Sequence, residues 1–450
     1  MSCIADLELL SEESRKKISS DLEVSPKETR YGKKESVLCF DTFITDEGTD
    51  DEKNYVSLPF AYVYQNMKKE LNILFPNGDI VYPRASGYTF DGSLNSIQTE
   101  VKPEAYEILN RTRSILISLA CGMGKTIFSI FLCSILQYKA CVLCHRINII
   151  DQWEYSIHKV CPEALVQVLQ GNTPIDPEAD FYIMNVSNVS KRGIDDFNHV
   201  GILIVDEAHT ICTENMSRAL FYFKPKYLIG LTATPDRTDG MGKILDLYFG
   251  TERIVRKLRR PFNAYVYNTG FKPKSQQNAQ GRLDWNSVLE SQALEEKRNC
   301  EIVDTIRYFK TRTFLILCKR IDQTNILLKK LKAAGEDADV FVGTKRTFNY
   351  ESRILLSTYS KTGVGFDHPR LDALIVASDV EEGIEQYVGR VFRREDVVPI
   401  VFDFLDKMHT LFKHFLTRRS LYLSIGGDVK QFDESFPEFV KWRKMYRVEE

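Results

Sequence analysis

The chain has 450 residues, of which 43% are hydrophobic and 27% are charged, and its formal net charge at pH 7 is −2. That length is too great for one ordinary hydrophobic core, so we expect two or three domains in a soluble globular protein. The near-neutral charge argues against a uniformly basic nucleic-acid-binding protein, although a local basic groove is compatible with it.

The cysteines and the N-terminus bear on the compartment. Ten cysteines are scattered without regular spacing, several of them in apolar runs, which is typical of reduced thiols in a reducing compartment. The opening "MSCIADLELLSEESRKK" lacks the basic start and apolar run of a signal peptide. No apolar run reaches the roughly 18 residues of a membrane-spanning helix. We therefore expect an intracellular protein with no membrane partner, located in the cytosol, the nucleus or, for a viral protein, the viral factory or virion interior.

Residues 1–93 differ from the rest of the chain in composition and in the pattern of their apolar residues. They contain an acidic stretch, "TDEGTDDEK", and short alternating stretches such as "YVSLPFAYVY" and "GDIVYPR", which are typical of β-strands. We interpret them as a small accessory N-terminal domain.

Two α/β units follow. In residues 94–250, apolar runs of strand length such as "SILISLA", "ACVLC" and "VGILIVD" alternate with helix-like segments. Unbroken apolar strands that alternate with helices predict a parallel sheet covered on both faces. Residues 251–295 are polar enough to predict a linker, and the alternation resumes in residues 296–425 with "TFLILC", "RILLST" and "PIVFDF". Residues 426–450 are predicted to be a C-terminal tail, so the expected fold class is α/β with two tandem parallel-sheet domains.

The segment "SILISLACGMGKT" predicts a phosphate-binding loop between a strand and a helix. Glycines let backbone N–H groups turn around an anion, and the following helix presents its positive end. A lysine in this position neutralises the β- and γ-phosphates, and a threonine ligates Mg²⁺. Leu119 stands where the usual pattern has its first glycine. The residues predicted to bind the nucleotide here are Cys121, Gly122, Met123, Gly124, Lys125 and Thr126.

A second strand, "VGILIVDEAH", ends in Asp206 and Glu207. A carboxylate at this point of a P-loop sheet holds Mg²⁺, and a neighbouring glutamate orients or deprotonates the attacking water. With Thr126 and Asp206 as the predicted Mg²⁺ site, the two strands together predict nucleotide hydrolysis.

From about Leu94 to Ser424 the sequence resembles the superfamily 2 nucleic-acid helicases. Four further segments carry the resemblance, namely "LNSIQ", "GLTATPDR", "ILLSTYSKTGVGFD" and "QYVGRVFR". The resemblance implies two RecA-like domains that hydrolyse ATP with Mg²⁺. It also implies adenine recognition by Gln98, coupling of hydrolysis to nucleic-acid binding by Thr232 and Thr234, and contacts to nucleic acid or nucleotide by Thr358, Gly363, Gly365, Asp367 and Gln386.

The same resemblance implies that Arg390 and Arg393 are arginine fingers. An arginine supplied from a second domain stabilises the charge that builds on the γ-phosphate, and it makes hydrolysis depend on domain closure. Together with Lys125, Asp206 and Glu207, these two residues complete the predicted catalytic set.

The stretch "CVLCHRINIIDQW" has the C-x-x-C-H spacing of a c-type haem attachment site. A haem would need an exported setting and a distal ligand, and zinc would need two further ligands at suitable spacing. We expect neither haem nor zinc, and we interpret Cys141 and Cys144 as packed thiols. The resemblance instead places Arg146, Gln152 and Trp153 at the nucleic-acid face.

The segments "LACGMGKT", "LTATP", "STYSKTGVGFDHPRLDALIVAS" and "IEQYVGRVFR" carry a narrower likeness. Through them the sequence is similar, within the superfamily, to the transcript-release DNA helicases of poxviruses and their relatives in other large DNA viruses. This implies a 3′-to-5′ DNA helicase that acts in viral transcription termination or transcript release, in recombination or in repair. The implied partners are single-stranded or duplex DNA and an RNA polymerase or transcription complex. A duplex translocase or annealing motor without unwinding, an RNA helicase and a non-catalytic scaffold are the alternatives. The basic run from Arg253 to Arg260 is equally compatible with nucleic-acid contact and with a solvated linker.

Overall fold

A computed structural model describes residues 2–27, 36–45, 53–67, 82–120, 122–213, 215–233, 235, 239–257, 259–345, 347–362, 366, 368–381, 383–392, 394 and 396–446. The chain divides into two compact units, Met1–Arg256 and Lys257–Glu450. Within the described ranges, no helix is both long enough and apolar enough to cross a membrane.

The first unit is built on a seven-stranded parallel sheet with the strand order β12-β6-β11-β10-β7-β9-β8. The central strands are buried on both faces because their sequences are unbroken apolar runs. The strands are β6 (Ser114–Leu119), β7 (Ala140–Cys144), β8 (Val166–Leu169), β9 (Phe181–Asn185), β10 (Ile202–Val205), β11 (Tyr227–Thr232) and β12 (Arg253–Arg256).

The N-terminal segment packs onto this first unit. Its elements are β1 (Ser2–Asp6), α1 (Glu12–Asp21), β2 (Glu23–Val24), β3 (Val37–Leu38), β4 (Asp41–Thr45), β5 (Lys53–Pro59) and α2 (Phe60–Asn66). Strands β1, β5 and β4 form an antiparallel sheet, and Leu58, Phe60 and Val63 share one core with Tyr248 and Phe249. These N-terminal elements therefore share the core of the first unit, whereas the sequence predicts a separate domain over residues 1–93. The predicted acidic loop lies mostly outside the described residues.

In the part of the first unit that the structure describes, five α-helices accompany the seven-stranded sheet. They are α3 (Ser96–Thr112), α4 (Lys125–Leu136), α5 (Ile147–Val160), α6 (Ala208–Ile211) and α7 (Gly242–Phe249). Helix α4 follows β6 directly, and α6 follows β10, so the carboxyl ends of these strands lead into the loops that carry the predicted site.

The second unit has its own seven-stranded parallel sheet, with the order β17-β18-β16-β19-β20-β13-β21. Its strands are β13 (Phe262–Asn268), β16 (Phe314–Cys318), β17 (Ala338–Phe341), β18 (Ile354–Thr358), β19 (Ala373–Val376), β20 (Ile400–Leu405) and β21 (Gly427–Gln431), and a hairpin pairs β14 (Gln276–Gln277) with β15 (Leu283–Asp284). The helices are α8 (Trp285–Leu294), α9 (Glu296–Tyr308), α10 (Ile321–Ala333), α11 (Tyr359–Thr362), α12 (Ile384–Val388), α13 (His409–Ser424), α14 (Phe432–Ser435) and α15 (Glu438–Tyr446). Two α/β units with parallel sheets confirm the predicted fold class.

The predicted boundaries of the linker and tail differ from the structure. In the segment 251–295, β12 forms an edge of the first sheet, whereas β13 and α8 belong to the second unit. In the segment 426–450, β21 extends the second sheet and Phe439 of α15 packs against Tyr308. Charged and polar residues flank these short strands, so the composition of both segments is typical of a linker or a tail and does not indicate a strand.

A buried ion-pair network fixes α13 against the second sheet. The Arg418 side chain is 2% exposed. Its Nε and Nη2 each donate to the Asp403 carboxylate at 2.8 Å, and its Nη1 donates to Asp379 Oδ1 at 2.9 Å. Paired geometry of this kind offsets the cost of burying the charges.

Candidate active site

The loop after β6 has the backbone shape of an anion cradle. Gly122 and Gly124 adopt left-handed conformations, with φ of 88° and 78°, and Gly124 caps the N-terminus of α4. Free N–H groups and the positive end of the helix dipole meet at this point, so an oligophosphate is the natural ligand. Cys121 lies outside the described residues, and Met123, which lies between the two glycines, is buried.

Lys125 and Thr126 occupy the first turn of α4 and are both partly buried. The Lys125 Nζ donates to the Leu119 carbonyl at 2.7 Å, so the ammonium lies over the loop. Leu119, which replaces the usual first glycine, therefore serves the site through its backbone.

Gln98 supports this loop through its side chain. Its Nε2 donates to the Gly124 carbonyl at 2.8 Å, and its Oε1 accepts from the Asn95 N–H at 2.8 Å in the capping box of α3. Asn95 Nδ2 in turn donates to the Met123 carbonyl at 3.2 Å. Both polar ends of Gln98 are thus engaged within the first unit, and adenine recognition by this residue stays a prediction. The Asn-x-x-Gln capping pattern is readable in "NSIQ" and would have indicated the helix start.

The two acidic residues follow β10, which is separated from β6 only by β11. Asp206 is 8% exposed. Its Oδ1 accepts from the Glu207 N–H at 2.9 Å and its Oδ2 from Trp153 Nε1 at 2.8 Å. Burial and the nearby Glu207 raise the pKa of Asp206 to about 6, while the hydrogen bond from Trp153 and the charge of Lys125 act in the opposite direction. Lys125 is close enough to Asp206 for its charge to lower the pKa of this carboxyl, so the P-loop and the acidic pair belong to one site.

Glu207 holds an unusual backbone conformation, with φ of 48° and ψ of 52°. A non-glycine residue in the left-handed region costs about 1–3 kcal/mol and is typical of functional sites. The Glu207 Oε2 atom is buried and accepts no hydrogen bond from the described residues, and it lies 3.4 Å from His209 Nδ1. A buried carboxylate oxygen with unused acceptor capacity suits a general base for a water molecule.

His209 links the acidic pair to the neighbouring strand. Its Nδ1 lies 2.9 Å from the Thr232 hydroxyl, and Thr232 ends β11 with no exposed surface. A change at Glu207 can therefore reach the "LTATP" segment through one side chain. Thr234 lies outside the described residues.

The "CVLCHRINIIDQW" stretch forms β7 and the start of α5. Cys141 and Cys144 are buried free thiols, and burial raises the pKa of both. No group of three metal-binding side chains occurs among the described residues. Burial, with Arg146 and His209 nearby, lowers the pKa of His145 to about 4, so its ring is neutral at pH 7.

The three residues predicted at the nucleic-acid face differ in how much of their surface is exposed. Arg146 is exposed and Gln152 is partly exposed. Trp153 is 1% exposed and donates its indole N–H to Asp206, so its side chain lies in the core, and its predicted part in shaping the nucleic-acid face stays a prediction. A tryptophan on the apolar stripe of α5 belongs to the core, and the sequence contains no local signal for a partner 53 positions away.

In the second unit, Thr358 ends β18 and its Oγ1 lies 3.2 Å from the Ser360 hydroxyl. Gln386 is partly buried on α12. The Arg390 Nη1 donates to the Phe366 carbonyl, which ties the predicted arginine motif to the preceding motif. Gly363, Gly365, Asp367 and Arg393 lie outside the described residues.

The donor set of the first unit fits MgATP. The glycine cradle, the start of α4 and Lys125 suit the phosphates, while the Asp206 carboxylate and the Thr126 hydroxyl are the hard oxygen ligands that Mg²⁺ prefers. The unused Glu207 oxygen lies beside them.

The chain is similar to one known protein family and to several viral proteins. Residues 91–237 match the family "Type III restriction enzyme, res subunit". The chain is 35% identical over 399 residues to "Putative helicase 161L" of Invertebrate iridescent virus 6, covering 83% of this chain and 90% of that protein. It is 26% identical over 371 residues to a transcript termination protein of Yaba monkey tumor virus, covering 72% of this chain and 71% of that one. It is 24% identical over 455 residues to a protein named "Putative ATP-dependent RNA helicase" of Acanthamoeba polyphaga mimivirus, covering 93% of this chain and 83% of that one.

Fold and site together define a P-loop nucleotide hydrolase with two RecA-like units in tandem. Yeast Dbp5 bound to RNA and ADP BeF3 has the same fold, with a TM-score of 0.53 and 14% identity over 78% of this chain and 93% of that chain. The chain belongs to the superfamily 2 helicases, in the group that contains these iridovirus and poxvirus proteins, and this confirms the resemblance carried by its motifs.

Proposed function

We propose that this protein is an ATP-dependent DNA helicase or translocase that acts on viral transcription complexes and releases transcripts. The observation that carries the proposal is the arrangement of Lys125, Asp206 and Glu207 at one sheet edge, with His209 joining Glu207 to Thr232. The name of the poxvirus relative supports the role in transcript termination.

Hydrolysis would use the site as follows. The glycine loop and Lys125 would bind the β- and γ-phosphates, and Glu207 would accept a proton from the attacking water through its unused Oε2. As the water oxygen bonds to the γ-phosphorus, the bond from that phosphorus to the β–γ bridging oxygen breaks and ADP leaves with this oxygen. Mg²⁺, when bound by Thr126 and Asp206, neutralises charge on the phosphate oxygens. Arg390 and Arg393 would add positive charge to the γ-phosphate, so that hydrolysis requires the second unit.

The coupling to nucleic acid would start at His209. Proton uptake at Glu207 changes the charge 3.4 Å from the His209 Nδ1 atom, and this ring contacts the Thr232 hydroxyl. Thr232 precedes the predicted coupling residue Thr234 by two positions, so the loop after β11 can respond to the state of the nucleotide. Contacts of a translocase should be made mainly with the phosphate backbone, because it must move along any sequence. Arg146, Gln152 and Thr358 are the proposed contacts in this chain.

RNA is the rival substrate, and the name of the mimivirus relative favours it. The hydrolytic residues do not distinguish DNA from RNA, so nucleic-acid preference must be measured. Unwinding also needs a test, because a duplex translocase would hydrolyse ATP without separating strands.

The test is steady-state ATP hydrolysis by the wild type and by Lys125→Ala, with single-stranded DNA, duplex DNA or RNA added in turn. Lys159→Ala, which removes an exposed lysine on α5, is the matched control. We expect DNA to stimulate hydrolysis in the wild type and the control, and Lys125→Ala to abolish it. Stimulation by RNA alone would overturn the DNA assignment, and hydrolysis that survives Lys125→Ala would overturn the site.

Unwinding is measured by strand displacement on duplexes with a single-stranded 3′ or 5′ extension. We expect displacement from the substrate with the 3′ extension, and displacement only from the 5′ extension would overturn the proposed direction. DNA-stimulated hydrolysis with no displacement would replace the helicase with a duplex translocase.

A further inference from the structure

Helix α5 presents one apolar face to the core, and Trp153 lies in the middle of it. Ile149, Trp153 and Ile157 are buried at a spacing of four residues, with 2%, 1% and 0% of their surface exposed. An indole N–H in such a place needs a hydrogen-bond acceptor. The acceptor here is a carboxylate of the hydrolysis site, since Nε1 lies 2.8 Å from Asp206 Oδ2.

With this contact, each of the two carboxylate oxygens of Asp206 accepts a hydrogen bond. The Glu207 N–H binds Oδ1 at 2.9 Å, and the indole N–H binds Oδ2 at 2.8 Å. Neither donor can rotate away, because one is backbone and the other belongs to a ring fixed in the core. Hydrogen bonds to a charged acceptor are stronger than neutral ones, so the carboxylate plane is fixed.

We infer that Trp153 is a positioning residue for the hydrolysis site: its indole N–H orients the Asp206 carboxylate and thereby sets the affinity of the nucleotide complex for Mg²⁺. The inference rests on the proposed function, because it assumes that Asp206 holds the metal of a hydrolysable nucleotide. Partners that orient a metal ligand through a hydrogen bond typically contribute about 10- to 100-fold in metal affinity or activity.

The variant Trp153→Phe keeps an aromatic ring in the core and removes the donor. Ile157→Val is the matched control, because it also removes buried volume from the same face of α5 while leaving the indole in place. Binding of a fluorescent ADP analogue is titrated for both variants, first in EDTA and then over a range of Mg²⁺ concentrations, and thermal unfolding is recorded alongside.

We expect Trp153→Phe to bind the nucleotide in EDTA within about twofold of the wild type, since the P-loop is intact. The Mg²⁺ concentration for half-maximal enhancement of binding should rise about 10-fold or more in this variant alone. An equal rise in Ile157→Val, or an unchanged Mg²⁺ requirement in a folded Trp153→Phe, would overturn the inference.

A second readout uses the fluorescence of Trp153 itself. The chain has three tryptophans, so Trp285→Phe combined with Trp442→Phe leaves Trp153 as the only one. The emission of Trp153 should change when Mg²⁺ is added to the nucleotide-bound protein and not when it is added alone. Emission that ignores Mg²⁺ in the presence of nucleotide would contradict the contact.

The two proposals fail separately. If the wild type does not hydrolyse ATP, or if Lys125→Ala hydrolyses ATP as fast as the wild type, the proposed function is wrong. If the wild type hydrolyses ATP and binds the Mg²⁺ complex, but Trp153→Phe behaves like Ile157→Val, only the role of Trp153 is wrong.

Discussion

Substitution of Gly124 by alanine should test how the first unit shapes its nucleotide loop. Gly124 has a φ of +78°, and a Cβ atom there would lie 2.3 Å from Gln98 Nε2. A left-handed alanine costs about 1–2 kcal/mol. Displacing the Gln98 amide loses two hydrogen bonds, the one to the Gly124 carbonyl and the one from the Asn95 N–H, at about 1 kcal/mol each.

Nucleotide affinity should reflect this cost, because the loop must return to its binding shape when the phosphates enter. A total of about 3–4 kcal/mol raises the dissociation constant roughly 150- to 700-fold. The assay is equilibrium binding of a fluorescent ADP analogue to the wild type, Gly124→Ala, Gln98→Ala and the double variant.

The double variant separates the backbone strain of a left-handed alanine at position 124 from the steric clash of its Cβ atom with the Gln98 side chain. Once Gln98 is alanine, nothing large faces the new Cβ, so Gly124→Ala should cost only about 10-fold in that background. Gly335→Ala, at a φ of +76° with nothing within 4 Å, should lower stability and leave nucleotide affinity unchanged. Equal losses in both Gln98 backgrounds would refute the reasoning.

Three further predictions follow from single side chains. Glu207→Gln should retain nucleotide binding and lower single-turnover hydrolysis at least about 100-fold, because the carboxylate oxygen proposed as the base is lost; near-normal hydrolysis would exclude that role. The pKa of His145 is about 4 in the folded protein and 6.5 in its ordinary state, so the ring binds more protons in the unfolded chain between these values, and its contribution to the free energy of unfolding should fall as the pH drops through that window, while Asp206, with its raised pKa, contributes in the opposite direction. The slope should be less than about 1.4 kcal/mol per pH unit, since the ring is only partly buried, and urea unfolding of His145→Gln should lack it; an unchanged slope would contradict the assignment. Arg418→Met removes the guanidinium that binds the buried carboxylates of Asp403 and Asp379, so it should lower the free energy of unfolding, measured in urea, by about 3–5 kcal/mol. Arg419→Met, which changes the exposed neighbour, should cost less than about 0.5 kcal/mol. Equal losses in the two variants would count against the buried network.

The sequence predicted the parts of this protein that are encoded locally. Unbroken apolar runs identified the parallel strands, and the residues at their carboxyl ends, such as Lys125 and Asp206, identified the chemistry. These signals work because a strand and the loop that follows it are contiguous in the chain, and because parallel strands present their carboxyl ends at one edge.

The contacts that join distant segments could not be predicted in this way. Gln98 reaches Gly124 across 26 positions, and Trp153 reaches Asp206 across 53. Both depend on how a helix packs against the sheet, which a periodic pattern does not specify. The same limit applies to β12 and β21, because a short edge strand with charged residues has the composition of a linker or tail.

The buried position of Asp206 explains why so many partners surround one carboxylate. A charged carboxylate in an apolar setting is costly, and burial with a nearby Glu207 already raises its pKa to about 6. The Trp153 N–H, the Glu207 N–H and the charge of Lys125 each favour the ionised form that a metal ligand requires. If Lys125 binds the phosphates as proposed, an incoming nucleotide would draw its charge toward a new anion and would weaken its electrostatic effect on Asp206. A divalent cation bound with the nucleotide would supply the positive charge that Asp206 loses, so the proposed site would favour ATP as its metal complex over the free nucleotide.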